Sequence, residues 1–184
     1  MEVFTMHDLK KLEELYEEVS IQTYEKFDIW IEHVVFKWQW WVGVGLSIIP
    51  WILWLIFRKK ESTLRLLTVG FYVMFISTFF DSIGVQLGFW YYTHAPLPLI
   101  PAFFPWDTTL MPVVIMGLIQ FKPKLNPYLK GLIFATLTSF VGEPFFIWME
   151  LYKPLVWKSI YSFPIYFLIY MIAHGIYQGK AYHK

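Results

Sequence analysis

The 184-residue sequence contains no cysteine. Disulfides, thiolate metal ligands and a cysteine nucleophile are therefore excluded. Charge is scarce: 16% of residues are charged, against roughly 25% in an ordinary soluble domain. The formal net charge of +1 gives no general attraction for nucleic acid. The chain also lacks a glycine-rich phosphate loop, a helical histidine pair at zinc spacing and a nucleophile elbow. No metal site is expected, and no cofactor class is indicated. What fills the chain is apolar: 57% of residues are hydrophobic and 22% aromatic, with a mean hydropathy of +0.47. That balance excludes both disorder and a soluble globular domain.

A bilayer core about 30 Å thick needs roughly 20 helical residues to cross it. Five apolar stretches approach that length: 38–57, 63–88, 106–121, 131–150 and 162–179. The third is the shortest and contains Pro112. The expected fold is all-α: a polytopic membrane protein with about five transmembrane helices over residues 38–184, preceded by an acidic amphipathic surface helix within 1–37. The first segment carries nine of the fourteen carboxylates. It is too polar for a secretory leader. Leu9, Leu12, Tyr16, Val19 and Thr23 recur at helical steps, and Asp8 can cap the first turn. Two readings stay open: a helix that lies near the membrane or pairs with a protein partner, and a solvated leader.

Lysine and arginine counts set the expected orientation. Nine lie on one side of the spans, including Arg58, Lys59, Lys60, Lys122, Lys124, Lys130, Lys180 and Lys184, and six on the other. The N-terminus is accordingly expected outside and the C-terminus inside. Trp38, Trp40 and Trp41 would form an outer aromatic belt, with Trp51 and Trp54 toward the inner one. Residues 93–106 hold four prolines among apolar residues, which forbids a regular helix. This loop is expected to lie at the interface or dip between helices. A weak internal repeat is also visible. Ser77 and Asp81 recur as Ser139 and Glu143 after sixty-two residues, Trp90 as Tyr152 at the same offset, and Phe104-Pro105 as Phe163-Pro164 after fifty-nine.

Acids within apolar spans are costly and face cavities or partners. Asp81 shares a helix face with Ser77, Gly84 and Gly88, a face slim enough for a neighbouring helix. Glu143 lies about 20 Å along its helix from Lys130. Pro144 follows it and should free the carbonyl of Phe140 and kink the helix. Ser139 shares its face, and Glu150 lies two turns on. Asp107 opens the third span, where a helix N-cap is the plain reading. If Asp81, Asp107 and Glu143 converge, the cluster could bind a cation, share a proton or protonate a substrate. His94 in the proline loop and His174 in the last span are accessory candidates, each more ordinarily explained by solvation or packing.

Several strings resemble a known family: Pro50-Trp51-Ile52-Leu53-Trp54, Ile76-Ser77-Thr78-Phe79-Phe80-Asp81, Leu87-Gly88-Phe89-Trp90, Phe104-Pro105-Trp106-Asp107, Phe140-Val141-Gly142-Glu143-Pro144 and Tyr161-Ser162-Phe163-Pro164-Ile165-Tyr166. They are similar to small multi-pass membrane proteins of spore-forming Bacillus and Clostridium relatives, a family of unknown function. The resemblance covers about residues 38–175 and implies a bacterial cytoplasmic membrane. Over about thirty residues, Asp81, Gly88, Trp90, Tyr92 and Asp107 also resemble membrane-embedded lycopene cyclase domains, which act on isoprenoids through carboxylates. Those domains carry a proline followed by paired glutamates, whereas Pro105-Trp106-Asp107 offers one acid.

Three functions follow from these residues. The first is a membrane protein binding a lipid or other amphipathic ligand at an outer carboxylate and aromatic site. The second is a membrane enzyme using acid–base carboxylates on a lipophilic, isoprenoid-like substrate. The third is a small ion- or proton-coupled transporter, for which five helices are few and an oligomer would be expected.

Overall fold

The computed structural model describes residues 4–179. Lys180 and Lys184, counted above, lie outside the described residues. Helix α1 (Met6–His33) begins with a capping box in which Thr5 and Asp8 bond each other's backbone. Asp8 thus stands in the first turn, and Thr5 is the cap. No residue of α1 is buried, although Trp30 near its end donates to the carbonyl of Ala95 at 2.8 Å.

Helix α2 (Trp38–Phe57) has the expected bounds. It is followed by α3 (Thr63–Gln86), the strand β1 (Trp90–Tyr92), a wide π-turn (Trp106–Leu110) continuing into α4 (Met111–Gln120), then α5 (Pro127–Leu137). A second π-turn (Thr138–Gly142) leads from α5 into α6 (Glu143–Trp148), followed by β2 (Tyr152–Pro154) and α7 (Ser159–Gln178). Among the described residues, four helical segments are long and apolar enough to cross a membrane: Trp38–Phe57, Lys60–Gln86, Pro127–Trp148 and Ser159–Gln178.

The third expected span does not reach that length. Fifteen residues from Trp106 to Gln120 give about 22 Å of helix. The preceding proline loop supplies the missing depth by dipping between helices. Ala102 and Phe103 are buried, and the Phe103 amide bonds Asp81. Protein groups rather than lipid therefore meet its backbone.

With the bundle end that carries the strand pair termed outer and the opposite end inner, inner-end contacts hold the bundle together. Gln120 accepts from the Lys59 amide and donates to the Phe57 carbonyl, tying α4 to the end of α2. Lys130 is buried, and its Nζ donates to the carbonyls of Leu118 and Phe121, the orphan acceptors at the C-terminus of α4. An apolar core fills this half, with Leu66, Val69, Val73, Met116, Ile119, Phe134, Ile169 and Ala173 among its members. Trp54 belongs to that core rather than to an interfacial belt, and Trp51 donates to the carbonyl of Thr108. Both tryptophans are turned inward because α2 packs on the π-turn and α4.

The internal repeat has a structural counterpart. At the end of α3, Phe89 N bonds Gly84 O, Gly88 N bonds Val85 O, and Gly88 is left-handed with φ 70°. At the end of α6, Leu151 N bonds Phe146 O, Glu150 N bonds Ile147 O, and Glu150 is left-handed with φ 57°. Every one of these positions is offset by sixty-two residues. Each helix thus ends in the same left-handed cap. The strands that follow pair antiparallel, with Tyr91 opposite Lys153, again sixty-two apart. α3 and α5–α6 therefore point the same way and end on the same side, related by a local two-fold axis through the Tyr91–Lys153 pair.

The natural chain carries no cysteine, so single labels report topology directly. Leu99→Cys in the proline loop and Lys124→Cys before α5, both exposed positions, are expected to react with a membrane-impermeant maleimide from opposite sides of a vesicle. Labelling of both from one side would refute this arrangement of the helices.

Candidate functional site

The site grows from the outer half of α3. Leu66, Val69, Gly70, Val73, Ser77, Asp81 and Gly84 recur at three- and four-residue steps and are the buried face of that helix. Gly84 lets the Trp90 indole lie directly against the backbone, since a Cβ there would sit 2.1 Å from the ring. That close approach delivers Trp90 Nε1 to Asp81 Oδ1 at 2.6 Å. Tyr92 donates to the same oxygen at 2.6 Å, and the Phe103 amide donates to Oδ2 at 2.7 Å. Asp81 is therefore saturated, by two donors from β1 and one from the dipping loop.

Asp107 lies beside it, with its carboxyl within hydrogen-bonding reach of Asp81. The expected N-cap role is not what the structure has. The helical turn starts earlier, Asp107 N bonds Phe103 O, and the side chain makes no cap. Asp107 is 2% exposed, and no protein donor faces its Oδ2. Ser77 Oγ donates to the Asp107 carbonyl at 3.0 Å, which fixes the π-turn against α3. The register shift of a π-turn re-aims one side chain, and such turns recur at functional sites.

The second π-turn does the same for Glu143. Its amide bonds Thr138 O across five residues, so Pro144 is accommodated in a widened turn rather than at a simple kink. The Glu143 carboxyl has Ser162, Ser159 and Tyr166 of α7 as neighbours. Trp157 Nε1 donates to Ser162 Oγ at 2.8 Å.

Asp81, Asp107 and Glu143 line one cavity of about 180 Å³. They are not a tight triad: among the described residues no three carboxylate or imidazole groups stand close enough to hold a metal ion together. The Asp81–Asp107 pair forms one wall and Glu143 another. Between them the lining is aromatic, with Trp90, Tyr92, Trp106, Phe146, Tyr152 and Tyr166 prominent. Stacking of Phe89 on Trp157 and the edge contact of Trp157 with Trp90 at 5.0 Å cover the outer end. Burial, with Asp81 and Asp107 adjoining, holds the Tyr92 hydroxyl well above its ordinary range, so it remains a donor. Tyr152 is pushed up by burial, Glu143 and Asp81 in the same sense. Only Phe80 and Ile83 of the lining residues are exposed, and both lie on the outer half of α3. Both are apolar and stand on a helix apolar enough to cross a membrane.

The other expected residues lie elsewhere. Ser139 is fully buried with an unpartnered Oγ, but Thr138 is the residue that lines the cavity. Glu150 serves as the left-handed cap of α6, and its carbonyl accepts from Thr93 Oγ1 and from His94 Nδ1 at 2.9 Å. His94 and Glu150 therefore lock the outer cap and do not line the cavity. His174 stacks on Tyr170 near the inner end, away from the acids. Ser162, Ile165, Tyr166 and Ile169 were not singled out as a site, although their spacing is one face of a helix.

Because Asp81 holds three donors, Asp81→Asn is expected to cost about 2–4 kcal/mol, whereas Asp107→Asn, which strands no donor, should stay within about 1 kcal/mol of the parent. Thermal unfolding in detergent, followed by tryptophan fluorescence, separates the two. Equal losses would deny Asp81 its anchoring role. Gly84→Ala should reproduce the Asp81→Asn loss by expelling Trp90.

The chain matches no protein-family model, no curated protein and no solved structure.

Proposed function

We propose that this chain is an integral membrane protein that binds a lipophilic molecule in the cavity between α3, the first π-turn, α6 and α7. The observation that carries the reading is the cavity's combination of an aromatic wall, carboxyl-bearing residues and two exposed apolar lining residues, Phe80 and Ile83. Its volume, about 180 Å³, exceeds that of an engineered core cavity of about 150 Å³ able to hold a benzene ring. A molecule entering past Phe80 and Ile83 comes from the acyl-chain region, leaving a tail in lipid while its head meets the carboxyls. Such sites are mostly apolar, with few polar groups that fix orientation. The filled inner core beneath the cavity favours binding over passage through the bundle.

A second reading has one specific support. The Asp81–Asp107 pair faces Glu143 across an aromatic space, an arrangement able to give and take protons on a bound substrate. It is the same site with a reaction added, and it accords with the isoprenoid-like alternative. For location, the reading takes a bacterial cytoplasmic membrane, with the strand pair and α1 outside and the Arg58–Arg65 and Lys122–Lys130 segments inside. The small spore-former membrane family remains the resemblance behind that choice.

Native mass spectrometry of the protein released from its own membrane tests the binding reading. A discrete adduct is expected, and it should disappear in Ile165→Trp, which fills the cavity from α7 without touching an acid. If parent and variant both emerge bare, or both carry the same adduct, the cavity is not the binding site.

A further inference from the structure

We infer that the cavity selects a lipophilic cation, an alkyl amine whose ammonium group is held between Asp107 and Glu143. The inference rests on the binding reading above and adds the chemistry of the head group. Three features converge. The first is the balance of charge: three acidic residues line the cavity, and among the described residues no lysine, arginine or histidine does. A fatty acid or a phosphate ester would bring negative charge to a wall that offers no counter-charge. The second is the state of each acid. Asp81 is consumed by Trp90, Tyr92 and the Phe103 amide. Asp107 is not: it lines the cavity beside Asp81, and its buried Oδ2 has no hydrogen-bond partner. A buried acceptor without a donor is a site for a group carried in by the ligand. The third is the wall itself, since ring faces attract organic cations, more strongly where water is excluded.

The roles divide accordingly. Asp107 and Glu143 contact the ammonium group. Asp81 is a positioning residue, which holds β1 and the dipping loop so that Asp107 is presented to the cavity. The hydrocarbon chain of the amine leaves between Phe80 and Ile83.

The test compares three probes of equal chain length, dodecylamine, dodecanol and dodecanoate, on the full chain in phosphatidylcholine nanodiscs. Fluorescence of the cavity tryptophans gives the readout, and Ile165→Trp supplies the background from partition into lipid. Dodecylamine is expected to bind roughly tenfold or more tighter than dodecanol, and dodecanoate not above background. The amine preference should vanish in Asp107→Asn and shrink in Glu143→Gln. Dodecanol binding as tightly as the amine would overturn the cation inference and leave the binding reading standing. Failure of all three probes to exceed background would overturn both. An amine preference that survives in Asp107→Asn would overturn the role given to that residue.

Discussion

The carboxylate of Asp81 joins three parts of the chain. It is fixed on α3, it receives Trp90 and Tyr92 from the strand after that helix, and it receives a main-chain amide from a loop twenty-two residues away. An ionisable group in this setting persists only when its acceptor sites are filled. Here they are filled by groups whose own burial would be costly without it: an indole N–H, a phenol and a loop amide. The loop could not dip beneath the outer surface without a partner for the Phe103 amide, and the short helix after it would then start too far out to reach Gln120's contacts at the inner end.

The two ends of the bundle are built on different principles. The inner half is an apolar core closed by polar clamps on helix ends, where Gln120 and Lys130 satisfy carbonyls and an amide that the helices leave open. The outer half is held by hydrogen bonds to side chains and by stacked rings, and it contains a cavity. Small residues make the close approaches. Met116 lies on Gly70, Trp90 on Gly84, and Tyr170 with Phe167 on Gly131. The stable half anchors the helices, and the hydrogen-bonded half can accommodate a guest.

Much of this was legible in the residues, and the failures have physical causes. The first span was visible to the residue because lysine and arginine bracket an uncharged run. The Ser77–Asp81–Gly84 face was visible because small and polar residues stand out on an apolar helix. The matching face of α7 was not, because Ile165, Tyr166 and Ile169 sit in a helix that is apolar all round, where periodicity carries little information. Asp107 looked like a cap because nothing local reveals that the helical turn begins three residues sooner, at Phe104, and widens. Strands of three residues give no periodic signal, so the Tyr91–Lys153 pairing was beyond reach. The sixty-two-residue spacing was the nearest hint of it.

That strand pairing also orders the protein's biogenesis. β1 is made with α3 and α4, but its strand partner, β2, emerges some sixty residues later. Until then the main-chain groups of Tyr91 and its neighbours have only water or lipid headgroups to bond. The first hairpin must therefore wait, half-finished at its outer end, for the second to insert beside it. Closing the ladder is the step that registers both hairpins at one height, so the cavity between them comes into being only when the chain is nearly complete.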